Sequence, residues 1–200
     1  MSPITGQTIT SETFCDETWQ EAVYTDCRFR GCNFSETIFR HCQFVNCRFE
    51  FCACNGTVWE NCQITNGSFS STSLFGASFS ACKCTGTDFS GADVSAISFS
   101  RCRLDYTLFT GCDLRRLDLR GCDLSYADLT SSCLKRANLQ DCRLHGARVQ
   151  GCDLQECDLR GADISGCDLK SAHLQKTHLD IREASQLAES LGAFVEYCGI

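Results

Sequence analysis

The sequence predicts an all-β repeat protein whose chain turns at regular corners, and two periodic patterns carry that prediction. Every fifth residue from Phe14 to Leu179 is large and apolar, or occasionally cysteine, through thirty-four consecutive positions with no slip of frame. From Cys27 onward the residue two places before each of these is small, most often Cys, Ala or Thr, except at Ile97 and Leu117. A period of five fits neither a single α-helix, at about 3.6 residues per turn, nor a flat strand, with a period of about two.

The two patterns together define a five-residue unit with a small residue first, a polar residue second and a large residue third. Residues 92–96, 127–131 and 162–166 read ADVSA, ADLTS and ADISG. In these units the chain resembles the pentapeptide-repeat proteins, whose pattern is A(D/N)LXX, over residues 12–179. The resemblance implies a right-handed quadrilateral β-helix in which four units make one square coil. Thirty-four units give about eight to nine coils and, at about 4.8 Å per coil, a rod of roughly 40 Å.

In this fold the large and the small side chains both face the lumen, and the last place of each unit is a corner. Eleven of the fifteen glycines occupy that corner, where a positive φ favours glycine. The large position is mostly aromatic up to Phe109 and aliphatic from Leu114 onward, so we expect a change in cross-section near residues 110–115. Ile97 and Leu117 are large residues at the small place, twenty apart, and are expected to swell one face locally.

Nineteen cysteines are present, and fourteen of them occupy the small inward place. The favoured interpretation is a compact buried filler, because Cys alternates there with Ala and Thr. Disulfides between coils and a metal site are the alternatives, but parallel Cβ directions suit a disulfide poorly and a straight column does not converge on a metal. Six cysteines form one column with a spacing of twenty: Cys42, Cys62, Cys82, Cys102, Cys122 and Cys142.

The compartment is predicted from the thiol content and from the absence of apolar segments. So many unpaired thiols indicate a reducing environment. The sequence has no basic and apolar leader at its start and no apolar run of about eighteen residues, so neither a signal peptide nor a membrane span is expected. We therefore predict a cytoplasmic protein.

The segments outside the repeat are short. Residues 1–11 contain the one proline and are predicted to be irregular. Residues 180–200 begin with Asp180 as a helix N-cap and Glu183 at the third helical position, and Gly192 ends the helix. Residues 193–197 are then predicted to form a strand. Because the end of a β-helix exposes unpaired strand edges, this tail is expected to cover it.

The Qnr and MfpA branch of the pentapeptide-repeat family has a tail of similar order and length, which joins two rods end to end. The resemblance therefore implies a homodimer through the tail. The alternative is a cap on the end of a single chain. The residues that the resemblance assigns to the dimer interface are Ile181, Leu187, Leu191, Phe194, Val195 and Tyr197.

Catalysis is not expected. The four histidines are scattered, and no pairing of a nucleophile with a base and no glycine-rich phosphate loop is present. The frequent Asp before the large residue is explained by turn hydrogen bonding. The sequence therefore predicts a protein that acts through its surface, without a cofactor or a metal.

The resemblance implies a partner for that surface. Members of the Qnr and MfpA branch engage DNA gyrase and related type II topoisomerases as mimics of duplex DNA, and they confer resistance to quinolones or to poisons such as albicidin and microcin B17. Direct binding of nucleic acid is not expected. This chain lacks the projecting loops of several Qnr members, so it is more similar to the loopless members, which inhibit gyrase or counter one natural poison. The alternative is a scaffold or regulatory protein with a partner that is not a topoisomerase.

The charge pattern supplies candidate contact residues. The net charge is −7. One predicted basic patch contains Arg115, Arg116, Lys135 and Arg136, although Asp113 and Asp153 offset it in an alternative interpretation as simple ladder charges. Tyr106 and Tyr126 are expected to stack on one face, as ladder packing or as a partner contact. Acidic residues that are expected to make three DNA-like faces are Asp118, Asp123, Asp128, Asp158, Asp163 and Asp168.

Overall fold

The computed structural model describes residues 2–196. Within this range the chain forms short strands over most of its first half, then single bridges, a 3-10 turn and one C-terminal helix. The strands are β1 (Ile4–Thr5), β2 (Thr8–Thr10), β3 (Thr18–Gln20), β4 (Val23–Thr25), β5 (Arg28–Arg30), β6 (Ile38–Arg40), β7 (Gln43–Val45), β8 (Arg48–Glu50), β9 (Val58–Glu60), β10 (Gln63–Thr65), β11 (Ser78–Ser80) and β12 (Ser98–Ser100). The 3-10 turn is Leu169–Ser171 and the helix α1 is Ile181–Ser190.

All strand pairs are parallel, and paired residues are twenty positions apart, as in Trp19 with Phe39. The sheets have the orders β1-β4-β7-β10, β2-β5-β8 and β3-β6-β9-β11-β12. Beyond the strands the pairing continues as single parallel bridges, for example from Asp123 to Arg143 and on to Asp163. Each column of paired residues is called a ladder below, and four ladders run along the rod. The predicted right-handed quadrilateral β-helix with a coil of twenty residues is confirmed.

The lumen is filled by the two predicted inward positions. Five phenylalanines twenty residues apart stack in one column with centroid distances of 4.9 to 5.4 Å. The column continues from Phe109 into Leu129, which is also buried. This close spacing follows from the distance between parallel strands, since stacked side chains inherit the coil spacing. The stacked phenylalanines are Phe29, Phe49, Phe69, Phe89 and Phe109.

The corners have a positive φ whatever residue occupies them. The eleven predicted corner glycines have φ values from 62 to 76°. Bulky residues adopt the same conformation at equivalent places, such as Arg116 with φ 60° and Tyr126 with φ 58°. The left-handed conformation is costly for such residues, so it is imposed by the ladder hydrogen bonds on both sides of the corner.

The N-terminal segment corrects one prediction. Residues 1–11 were expected to be irregular, but β1 and β2 lie in the first coil and pair with β4 and β5. The reason is that Ile4 and Ile9 continue the five-residue frame backwards from Phe14, and both pack against the core. The repeat therefore begins about two units earlier than predicted.

The tail forms the predicted helix. The Asp180 side chain accepts hydrogen bonds from the backbone N–H groups of Arg182 and Glu183, and the Glu183 side chain accepts one from the N–H of Asp180. Gly192 has φ 88° at the end of the helix. Residues 193–196 form no strand, in contrast to the strand predicted for residues 193–197. Tyr197 lies outside the described residues.

The cysteines of the described chain are unpaired thiols, and all but Cys15, Cys133 and Cys167 are buried. In the column that begins at Cys42, most of the thiols donate to backbone carbonyls of the preceding coil, as Cys82 does to Trp59 at 3.2 Å. The compact, buried filler predicted for the small place is therefore what these side chains provide.

Candidate functional surfaces

Two of the four ladders are interrupted between the same two coils. One ladder stops at Asp93 and resumes at Asp113, and its neighbour stops at Ser98 and resumes at Asp118. The other two ladders pass this level without a break. The gap between Asp93 and Asp113 and between Ser98 and Asp118 is called the split below.

Backbone groups on both sides of the split lack their usual partners. Through most of the rod, an N–H at such a position donates to a carbonyl of an adjacent coil at about 2.7 to 3.2 Å, as Gly76 does to Ser95. At the split no such bond joins the two coils within the described chain. The N–H donors concerned are those of Gly91, Val94, Ala96, Phe99, Arg101, Asp113 and Asp118. The matching free carbonyls are those of Ala92, Ile97, Thr110, Asp113, Arg115, Asp118 and Arg120.

Two bulky side chains explain the split. Ile97 and Leu117 occupy the small inward place in neighbouring coils, in a column where the flanking residues are Ala77 and Ala137. Ile97 is buried, but Leu117 is only partly buried. A narrow lumen has no room for two such residues at the normal coil spacing, so the coils separate on that side. The local swelling expected from the sequence takes this form.

The predicted basic patch lies at the mouth of the split. A surface cavity of about 570 Å³ is lined by Ser95, Ala96, Asp113, Arg115, Arg116, Lys135 and Arg136. Arg115 forms a close ion pair with Asp113, and this hydrogen-bonded guanidinium lowers the pKa of the Asp113 carboxyl. Arg136 pairs with Glu156 at 2.8 Å, and Lys135 Nζ donates to Gln155 at 3.2 Å.

Arg116 differs from its neighbours in this patch. Among the described residues no carboxylate lies within ion-pair distance of it, whereas Arg115 and Arg136 are each paired. Its side chain is exposed at a corner next to the split. The alternative interpretation, in which the patch is a set of ladder charges with partners, therefore holds for Arg115, Lys135 and Arg136 but not for Arg116.

The predicted acidic faces are largely neutralised by arginines. Asp118 and Asp158 are paired with the arginines two residues after them, at 3.8 and 2.6 Å. Asp123 and Asp128 are paired with arginines of the next coil, at 3.7 and 3.2 Å. Asp163 accepts from Ser165, and Asp168 precedes the 3-10 turn without a capping bond. These six residues therefore do not form a continuous, uncompensated negative surface.

Uncompensated carboxylates are instead concentrated at the N-terminal end. Residues 12–36 contain six acidic residues, none of which forms an ion pair within the described chain, and two arginines. The sequence carried this signal, since residues 1–80 contain eight acids and four bases. The six acidic residues are Glu12, Asp16, Glu17, Glu21, Asp26 and Glu36.

The two predicted surface tyrosines stack. The rings of Tyr106 and Tyr126 lie 5.0 Å apart with an interplanar angle of 14°, and the ring of His145 meets Tyr126 edge-on at 5.2 Å. Both tyrosines are about half exposed. The two tyrosines are twenty residues apart, which is one coil, and this spacing alone explains why their rings stack.

The tail presents an apolar surface to solvent. Ile181, Leu191 and Phe194 are 75, 64 and 98% exposed. Leu187 packs against the core and Val195 is partly buried. The helix therefore covers the last coil with one side and leaves an apolar side uncovered.

Residues 2–196 lack two further kinds of site. No three His, Cys, Asp or Glu side chains in this range are grouped as metal ligands would be. No helix in this range is both long enough and apolar enough to span a bilayer.

Models of known protein families match the repeat region of the chain. A family model described as a pentapeptide repeat region matches residues 57–129, and one described as pentapeptide repeats (8 copies) matches residues 137–175. The chain belongs to the pentapeptide-repeat family. A model described as the SV2A/B/C luminal domain matches residues 11–89. No curated protein matches the sequence.

Solved structures of QnrB1, a plasmid-mediated fluoroquinolone resistance protein, are similar to this pentapeptide-repeat chain over almost its whole length. A trypsin-treated variant of QnrB1 has a TM-score of 0.73 at 23% identity and covers 97% of this chain and 98% of its own. Full-length QnrB1 has a TM-score of 0.61 at 22% identity, with 96 and 100% covered. HetL, a pentapeptide-repeat protein involved in heterocyst differentiation regulation from the cyanobacterium Nostoc sp. strain PCC 7120, has a TM-score of 0.39 at 20% identity, with 87% of both chains covered. At these identities the likeness describes the fold.

Proposed function

We propose that this chain is a cytoplasmic, non-enzymatic protein that binds DNA gyrase and alters the response of the enzyme to a topoisomerase poison. The observation that carries the proposal is the uncovered apolar side of the tail, at one end of a rod whose frame no loop interrupts from Phe14 to Leu179. Similarity to QnrB1 along nearly the full chain supports it. Gyrase is proposed as the partner on the resemblance to the Qnr and MfpA branch.

The first part of the proposal is a homodimer through the tail. Phe194 is almost fully exposed, and Ile181 and Leu191 are exposed beside it. Exposed apolar groups of this size gain roughly 25 cal/mol for each Å² that they remove from water. Docking two tails about a two-fold axis would cover both apolar sides at once and would give residues 193–196 a strand edge to pair with. Two rods joined in this way would be roughly 80 Å long.

The second part is mimicry of duplex DNA by charge. DNA carries about one negative charge per 1.7 Å of its axis. The net charge of −7 on a rod of roughly 40 Å is far lower, so any mimicry has to be local. The unpaired carboxylates of residues 12–36 are the best candidates. In a tail-to-tail dimer they would lie at its two far ends, where they could meet the basic DNA-binding surface of a topoisomerase.

A supercoiling assay with purified gyrase tests the proposal. The protein is titrated with and without a fluoroquinolone, albicidin or microcin B17. Rescue of supercoiling under one poison, or inhibition without a poison, is the expected result. A double variant, Glu17→Gln with Glu21→Gln, should weaken the effect. A matched control, Asp141→Asn with Asp153→Asn, removes the same charge from distant coils and should leave the effect unchanged.

A scaffold or regulatory protein with a partner other than a topoisomerase is the second candidate. The basic patch at the split favours it, because a mimic of DNA has no need for a cationic cleft on its surface. If a folded dimer has no effect on gyrase with any of the three poisons and does not bind the enzyme, the topoisomerase proposal is wrong and the scaffold is favoured.

A further inference from the structure

We propose that the split is a binding site for an extended, carboxylate-bearing peptide segment of a partner protein. The site is formed by the unpaired backbone edges of two adjacent coils and by the four basic side chains at its mouth. The proposal concerns a different surface from the tail and the N-terminal carboxylates, and it does not depend on gyrase being the partner.

The split leaves both kinds of backbone hydrogen-bonding group free. Seven N–H donors and seven carbonyl acceptors lie along the two facing edges within the described residues. Backbone polar groups that are removed from water and left unpaired cost free energy, so an edge of this kind favours a partner that pairs with it. A peptide backbone offers both donors and acceptors in alternation, whereas a phosphate offers acceptors alone. The mixture therefore fits an added strand.

The mouth of the split is positively charged. The cavity at the split is lined by four bases, Arg115, Arg116, Lys135 and Arg136, and by one acid, Asp113. This is a local excess of positive charge on a chain whose net charge is −7. Arg116 has no carboxylate partner in the described chain, so its guanidinium is free to bind one in two-point geometry. An added strand with Glu or Asp on one side would supply that group.

At the level of the split the rod is joined on two faces and open on the other two. The ladders on the other two faces hold the two coils together, through bridges such as Lys83 with Arg103 and Asp88 with Leu108. An inserted strand needs the edges to be about twice the normal strand spacing apart, roughly 9.6 Å. With two ladders intact, the coils can part further on the open side while the two halves of the rod stay connected. The rod therefore keeps its fold while the split takes up a strand.

Hydrogen exchange followed residue by residue tests whether the edges are open. The amides of Val94, Ala96 and Phe99 should exchange at least about tenfold faster than those of Leu74, Gly76 and Phe79, their equivalents one coil earlier. Slow exchange of the first three amides in the free protein would overturn the proposal, because the edge would then be paired.

Binding is tested with a labelled decapeptide of alternating Thr and Glu, compared with Thr and Lys and with Thr and Gln peptides and with a single-stranded oligonucleotide. We expect the Glu peptide to bind and to slow exchange at Val94, Ala96 and Phe99. Arg116→Glu should weaken that binding at least about tenfold, while Arg48→Glu, a matched charge reversal on another face, should not. Binding of the oligonucleotide but not of the Glu peptide would overturn the proposal.

A second variant separates the opening from the charge. Ile97→Ala with Leu117→Ala gives this column the same residue as Ala77 and Ala137, so the coils should close and the ladders should become continuous. Exchange at Val94 should then slow, and the Glu peptide should no longer bind although all four bases remain. Unchanged peptide binding in a closed, folded double variant would show that the split is not the site. If the double variant does not fold, Arg116→Glu still decides the question.

Discussion

The ring of Tyr126 lies directly over Gly146, one coil further along the rod. A Cβ added to Gly146 would be 2.7 Å from both Cδ1 and Cε1 of that ring. The corner side chain of one coil thus leans over the corner of the next, and a glycine provides the space. Asn66 over Gly86 and Glu36 over Gly56 follow the same pattern.

Gly146→Ala should therefore destabilise the rod more than a corner substitution with free space. Gly111 has φ 69° and nothing within 4 Å of an added Cβ, so Gly111→Ala should lower the stability by about 1 kcal/mol, the cost of the left-handed conformation. Gly146→Ala has the same cost and also has to displace an aromatic ring, which should lower the stability by about 1–3 kcal/mol more. Thermal or denaturant unfolding of the two variants measures the difference. Adding Tyr126→Ala to Gly146→Ala should remove the excess, and if the excess persists the ring contact is not its cause.

The small inward place sets a second prediction. Cys82 is buried in the cysteine column, with Cys62 and Cys102 stacked on either side of it. Cys82→Ala keeps a small residue there and should cost less than about 1.5 kcal/mol. Cys82→Leu should cost about 1–3 kcal/mol and should open the adjacent ladder, as Ile97 and Leu117 do in theirs. Unfolding measurements, with hydrogen exchange at Lys83 and Arg103, test both effects. Equal stabilities of the two variants would contradict the explanation given for the split.

Particular residues show how much of the fold and of the candidate surfaces can be predicted from the sequence. The period of five predicts a chain with regular corners, and the family resemblance implies the coil and a lumen filled by the large and small side chains. The positive φ of bulky corner residues such as Arg116 depends on the ladder hydrogen bonds and not on side-chain type. The same frame extended backwards to Ile4 and Ile9 predicts the first coil, in which both side chains pack against the core. The pairing of charges was not predictable. Whether an arginine bonds the Asp two residues before it, as Arg160 does, or one in another coil, as Arg143 does, depends on its rotamer.

Glu183 gives the tail a predictable dependence on pH. Its side chain is 1% exposed, and its Oε1 has no hydrogen-bond partner in the described part of the chain. Burial raises the pKa of Glu183, and the neighbouring Asp180 raises it further. A carboxyl whose pKa is higher in the folded state contributes stability that is complete below its unfolded pKa and is lost as the pH rises through its folded pKa. The tail should therefore be more stable in mild acid than at neutral pH, as far as this group is concerned.

Glu183→Gln should remove that loss. Glutamine can still accept from the N–H of Asp180, as a capping box requires, but it cannot ionise. The difference in melting temperature between Glu183→Gln and the parent should grow as the pH is raised from about 4 to 8. Glu189→Gln, on the exposed side of the same helix, is the control and should show no such trend. A difference that stays constant over this range would mean that Glu183 does not titrate between the folded and unfolded states.

The reactivity of the thiols should follow burial. Burial raises the pKa of Cys47 and of Cys52 to about 11. The neighbouring thiol of Cys62 lowers the pKa of Cys42 to about 7, but Cys42 has no solvent exposure. Iodoacetamide at pH 8 should therefore modify the partly exposed Cys15 and Cys133 in the native rod, and the column only after denaturation. Peptide mapping by mass spectrometry measures this, and rapid native labelling of Cys42 would show that the coils open around it.

The tail makes the most direct prediction about assembly. Phe194 is 98% exposed, and Ile181 and Leu191 are exposed on the same segment, so Phe194→Asp and Leu191→Asp should each abolish the proposed homodimer. Light scattering should then give the mass of one chain, about 22.1 kDa, in place of two. Glu189→Ala alters the exposed side of the helix without removing apolar surface, and should remain dimeric. The β-type circular dichroism of the rod should be unchanged in all three variants, because the core ends before the substituted residues. If Phe194→Asp and Leu191→Asp unfold the rod instead, the tail is a cap that the fold of a single chain needs.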